Sequence, residues 1–253
     1  MQQQESQRRL LVHSAHEAIG VSSGLAALQA CDLSRFVTSE GPRRRMRVCI
    51  AGRLPWGDAE AALPALESYL KRHCRTECVR IPRNGNGGLP AAESLEGFDC
   101  VLLLGQQITI AAARGASPRL RKYAERDLPP GDSAGGGFPA GPTIEIEVLP
   151  AAKGHPVLAG VEPFRSRAPL QYQPRIDENC SPLLLAVPAD RVLSECSSAG
   201  GGLPSRPVAW TRCLDAARCF RTVLGRAEDF RNTSFLRLLG NALRWTQAGR
   251  PGE

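Results

Sequence analysis

The chain has 253 residues, enough for one domain with a substantial buried core and terminal extensions. Apolar residues make up 42% and charged residues 23%, which excludes a disordered or fibrous class, and no apolar run approaches the roughly 20 residues of a membrane span. The net charge of +7 comes from 32 basic against 25 acidic residues, but arginine is scattered along the chain, with one cluster at Arg43-Arg44-Arg45-Arg47, and aromatic residues are few, so the charge reads as solvated surface and no nucleic-acid partner is expected.

Residues 1–45 read as a weakly ordered extension. Leu10, Leu11, Ile19, Val21, Leu25 and Leu28 hold no single period, with one short helix expected around Gly24–Cys31. The polar N-terminus and the short Leu10-Leu11-Val12 patch give no secretory signal, so a cytoplasmic protein off the membrane is expected. The nine cysteines are odd in number, and Cys74 and Cys78 lack CxxC spacing, which points to reduced structural thiols. The folded domain is expected over residues 46–247, with a tail at 248–253, and Met46 can itself serve as a start.

From Met46 strands and helices alternate. Arg47–Gly52 reads as a strand, and Asp58 is placed to cap a helix over Ala59–Lys71, whose first turns Pro64 should disturb. Glu77–Ile81 reads as a second strand and Asn84–Gly88 as a loop. Cys100–Gly105 is a continuous apolar run suited to a parallel strand buried on both faces, and a helix follows over Pro118–Glu125. This order predicts an α/β, doubly wound, mostly parallel sheet, with ligands beyond the carboxyl ends of its strands near the turns Gly52–Trp56 and Gly105–Ile108.

The pattern then breaks. Residues 127–137 contain no apolar run, so the domain is expected to lack one central strand-helix unit, or else about 30–50 further residues belong near Pro129. Intact mass measurement separates these two, since a mass of 27.2 kDa rules out the longer chain. Thr143–Val148 alternates as a half-exposed antiparallel or edge strand. Leu183–Val187, Pro207–Thr211 and Cys219–Gly225 read as short strands, the last two joined as a hairpin. A final helix over Ser234–Trp245 presents Phe235, Leu238, Leu239, Ala242 and Trp245 on one face.

Four segments carry a family resemblance. His155–Val161 resembles the "HP(I/V)xxG(L/V)" segment of ThuA-like (trehalose-utilisation) proteins, and Pro207–Arg212 their "PVAWTR" strand. Cys219–Arg226 with Glu228-Asp229-Phe230 is similar to "RVFYTxLGHxxxDF", and Asn232–Trp245 to "NxxFxRLLxNAxxW". The resemblance implies the flavodoxin-like sheet of class I glutamine amidotransferases and a role in trehalose or keto-glycoside metabolism. It also implies functional histidines after the central strand, in the following glycine loop and in "LGH". This chain departs at all three: the strand has no counterpart, Gly135–Gly141 has no histidine, and the third position is Arg226.

The candidates for ligand binding are therefore His155, Arg212, Arg226 and Asp229, with no catalytic residue assigned. Arginine stays protonated and cannot carry protons, but its fork can hold a carboxylate or phosphate. Three of these candidates also have a structural reading: His155 as a structural or exposed loop residue before Pro156, Arg226 as an exposed surface residue, and Asp229 as a turn cap. Trp210 and Trp245 read as core, and Cys49 and Cys100 as poor nucleophiles. No G-x-G-x-x-G, P-loop, H-E-x-x-H or EF-hand spacing is present, so neither cofactor nor metal is expected. The sequence thus points to a ThuA-like domain of carbohydrate metabolism with impaired or absent catalysis, or alternatively to a binding or interaction module on the same scaffold. A small carbohydrate-like ligand and homo-oligomerisation are both compatible with this reading.

Overall fold

A computed structural model describes residues 44–52, 54, 59–81, 93–113, 143–168, 176, 179–188, 206–214 and 217–248. These hold nine strands: β1 (Met46–Gly52), β2 (Thr76–Ile81), β3 (Cys100–Leu104), β4 (Ile108–Ala112), β5 (Ile144–Val148), β6 (Phe164–Ser166), β7 (Cys180–Pro188), β8 (Arg206–Leu214) and β9 (Ala217–Thr222). Two α-helices accompany them, α1 (Leu63–Cys74) and α2 (Thr233–Gln247). All nine strands join one sheet in the order β2-β1-β3-β4-β9-β8-β7-β5-β6.

β1 pairs in parallel with β2 and with β3. Every other pairing among the described residues is antiparallel. The expected mostly parallel sheet is thus corrected to a mixed one, parallel on one side of β3 and antiparallel on the other. The two α-helices lie on the same face. Leu63, Leu66 and Leu70 of α1 and Phe235, Leu238, Leu239 and Trp245 of α2 share a core with Val48, Ile50, Leu102, Leu104, Ile108 and Ile110. The alternate positions Cys49, Ala51, Val101, Leu103, Ala111 and Cys219 form a second cluster on the opposite face. All five residues of β3 are buried, as its continuous apolar run predicts.

The ladder beside β3 is nonetheless continuous, because an antiparallel strand occupies the place where a parallel strand-helix unit would follow; residues 127–137, where that unit is expected to be missing, lie outside the described residues. β4 folds back from β3 through Gly105-Gln106-Gln107, pairing Leu103 with Thr109 and Leu102 with Ile110. Its other edge pairs Ile108 with Thr222 and Ile110 with Phe220 of β9. The turn expected at Gly105–Ile108 is therefore a hairpin link, and the strand begins at Ile108. An antiparallel neighbour needs only a short link, whereas a parallel one needs a crossover helix. The β-branched residues of Ile108-Thr109-Ile110 suit the pleat, and the two isoleucines enter the helix-side core.

β8 and β9 form the expected hairpin, and β5 is antiparallel but flanked on both sides, by β6 and β7. A 3₁₀ turn over Ala59–Ala62 precedes α1, so Pro64 falls in the first turn, where its missing N–H costs nothing. Asp58, the helices near 24–31 and 118–125, the loop at 84–88 and the extension to residue 43 lie outside the described residues. At the start of the sheet Asp99 ties three elements together. Arg44 Nη2 donates to its Oδ1 (2.5 Å), the Arg47 N–H donates to its Oδ2 (2.8 Å), and Gln247 Nε2 at the end of α2 donates to its carbonyl (2.8 Å). Among the described residues no helix is long and apolar enough to cross a membrane.

Candidate functional site

The parallel strands define two edges of the sheet, an amino edge where β1, β2 and β3 begin and a carboxyl edge where they end. At the carboxyl edge Gly52 is paired with Leu104, and Ile108 with Thr222. Gly52 has φ 96°, and a Cβ there would lie 2.2 Å from the Leu104 carbonyl oxygen, so only glycine fits this approach.

The turn after β9 is built by side chains folding back on their own backbone. Thr222 Oγ1 donates to the Val208 carbonyl (2.7 Å) and accepts from the Leu224 N–H (3.1 Å). The N–H groups of Gly225 and Arg226 both donate to Asp229 Oδ2 (2.8 and 2.9 Å). Gly225 has φ 137°, and a Cβ there would meet Ile108 Cδ1 at 2.8 Å, which presses the turn onto the start of β4. Asp229 is fully buried, and Arg226 is 8% exposed. Burial raises the Asp229 pKa above the usual carboxylate range, and the amides of Gly225 and Arg226 and the Ser166 hydroxyl pull the other way. Asp229 is thus a cap for the turn that carries Arg226, as the sequence allowed.

One polar group at this edge was not singled out from the sequence. Gln107, in the β3–β4 link, is 4% exposed, and among the described residues neither end of its side-chain amide has a hydrogen-bond partner. A buried unpaired amide is costly, and native structures keep few of them. No sequence signal marks it, since a glutamine in a turn is ordinarily solvated.

His155 lies at the amino edge. It precedes a 3₁₀ turn over Pro156–Leu158 with extended backbone (φ −71°, ψ 132°), as expected for a residue before proline. The Val157 N–H donates to its Nδ1 (3.2 Å), so the ring caps that turn. The ring also packs 5.1 Å from Trp245 and is 5% exposed. Burial, with help from the nearby Arg218 guanidinium, lowers its pKa to about 4. At neutral pH it is therefore an uncharged structural imidazole.

The chain after His155 runs antiparallel along α2. Asn241 Nδ2 donates to the carbonyls of Val157 (3.1 Å) and Ala159 (2.9 Å), Arg237 donates to Gly160, and Phe164 packs on Phe235. Trp245 and the Asn232 N-cap stand at opposite ends of α2, which at 1.5 Å per residue is about 20 Å long. His155 and the Arg226–Asp229 turn therefore cannot act on one small ligand. Arg212 is in a third place, in register with Cys180 of β7 and Cys219 of β9.

Cys49 and Cys100 have the raised thiol pKa values of poor nucleophiles, and Cys219 shares them. Burial pushes the Cys49 and Cys100 thiols up to about 11 and Cys219 up to about 12. Among the described residues no group of three His, Cys, Asp or Glu side chains converges to hold a metal ion. Compared with known proteins, the chain matches no family model, no curated protein and no solved structure.

Proposed function

We propose that this chain is a ThuA-like domain of carbohydrate metabolism that binds its ligand without turning it over, at the carboxyl edge formed by Gln107, Gly225, Arg226 and Asp229. The separation of His155 from the Arg226–Asp229 turn by the length of α2 is the observation that carries this reading. The one candidate side chain that titrates near neutrality when free is at the far edge, capping a turn. At the near edge Arg226 supplies a permanent cation, and Asp229 spends one carboxylate oxygen on two backbone amides. That pairing suits holding an oxygen-rich ligand and does not suit moving protons.

The flavodoxin-like part of the reading rests on the order β2-β1-β3, which begins such sheets, with β4 standing where a further parallel strand would follow. Calorimetric titration with trehalose and with 3-keto-glycosides, run beside a product assay, tests the proposal. Saturable binding without product is expected, weakened about tenfold by Arg226→Gln, the equivalent of roughly one good charge-assisted contact. Turnover that is lost on Arg226→Ala or His155→Ala would sink it.

A further inference from the structure

The net charge of +7 is unevenly placed on the fold. Arg45, Lys71, Arg72, Arg75, Lys153 and Arg244 come from separate parts of the chain, and all six are exposed. The fold gathers them at the amino edge on the helix side. α1 ends there, and the Met46 N–H donates to the Arg75 carbonyl (3.3 Å), which sets Arg45 beside it. Arg244, in the last turn of α2, donates through Nη2 to the His73 carbonyl in the last turn of α1. Lys153 precedes His155 by two residues, and the His155 ring packs on Trp245, next to Arg244.

Few acids oppose these cations. Asp99 is buried and paired to Arg44, Glu67 is paired to Arg80, and the exposed Glu93 and Glu96 stand in the turn before β3 whose Leu95 packs on the second cluster, while none of the six forms an ion pair among the described residues. Glu77 alternates onto the opposite face with Val79 and Ile81, which pack on the second cluster. The carboxyl-terminal dipoles of α1 and α2 both point here, and together they amount to about one negative charge. That offsets one cation of the six. Basic residues from four stretches of the chain thus fold to a positive rim.

We infer that this rim binds the phosphate backbone of double-stranded nucleic acid without reading its sequence. Arginine forks and lysine ammonium groups on an exposed edge suit phosphates, and the release of counterions supplies the affinity. Leu70, Leu243 and Trp245 of the two last helical turns are buried, so among the described residues the rim offers no large apolar side chain to enter a membrane. The Tyr69 ring is packed against His73 at 4.4 Å, so among the described residues the rim offers no uncovered tyrosine or tryptophan face for unstacked bases, which favours a duplex over a single strand.

Fluorescence anisotropy of the full chain with a labelled mixed-sequence DNA duplex of about 20 base pairs tests this, with salt varied from about 50 to 200 mM. The expected result is saturable binding that weakens steeply with salt. The triple variant Lys71→Gln/Arg72→Gln/Lys153→Gln should bind at least about tenfold more weakly and lower the log–log salt slope by about 0.9 for each phosphate it no longer neutralises. A control of equal charge change at exposed positions away from the rim, Arg165→Gln/Arg167→Gln/Arg231→Gln, should stay within about twofold of the parent. Equal weakening in both triple variants would reduce the effect to net charge and overturn the inference. Absence of binding at the lowest salt, or tighter binding to phosphatidylserine vesicles than to the duplex, would overturn it as well.

Discussion

Gln107 and His155 are buried polar residues with opposite energetic signs. The Gln107 side chain is buried and its amide has no partner among the described residues, so Gln107→Leu should raise stability by about 1 kcal/mol. Urea midpoints measure that gain, and if the carboxyl edge is the ligand site, the same variant binds sugar more weakly than its parent. His155 is instead tuned to remain neutral. Its imidazole takes up a proton near 6.5 when unfolded and only near about 4 when folded. Between those values the unfolded chain holds more protons, so stability is full above 6.5 and is lost as pH falls toward about 4. The shift corresponds to roughly 3 kcal/mol. His155→Asn keeps a capping acceptor and removes the titration, so urea midpoints at pH 7 and pH 4 should differ far less for the variant than for the parent. The Asp229 cap was legible in the sequence, because an aspartate shortly after a glycine turn has a local job. The burial of Gln107 was not, because tertiary packing alone decides it.

At the scale of elements, α2 organises the helix side. Its amphipathic spacing is legible in the residues alone, and the docking face is the one that spacing predicts: Phe235, Leu238, Leu239, Ala242 and Trp245 are all buried. What spacing could not show is the strap from His155 to Phe164 laid along it. Asn241 is its main polar tether, with one side-chain amide serving two carbonyls. Asn241→Ala should cost about 1–3 kcal/mol and raise hydrogen exchange at Val157–Val161 before it affects β3. Equal acceleration in the strap and in β3 would mean that the strap has no independent opening.

The whole molecule divides into a parallel part, β1 to β3, and an antiparallel part, β5 to β9, and among the described residues β4 is the only ladder between them. This strand is hard to read from sequence because it is five residues long, follows a three-residue turn, and meets its partner β9 more than a hundred residues later. Thr109 lies opposite both Leu103 and Arg221. Thr109→Pro should therefore remove ladder bonding on the one strand that joins the halves and leave little cooperative unfolding in a thermal scan. A sharp single transition near the parent midpoint would show that α2 alone couples the two parts.

Position in the chain also exposes β4 during synthesis. The β3–β4 hairpin leaves the ribosome with its second strand unpaired along one side, and β9 is not made for on the order of ten seconds at ordinary elongation rates. Throughout that interval the nascent polypeptide carries a short, apolar, bare strand of the kind that recruits foreign β-segments. The strand that completes the mature sheet is thus also where a stalled or truncated translation product would aggregate.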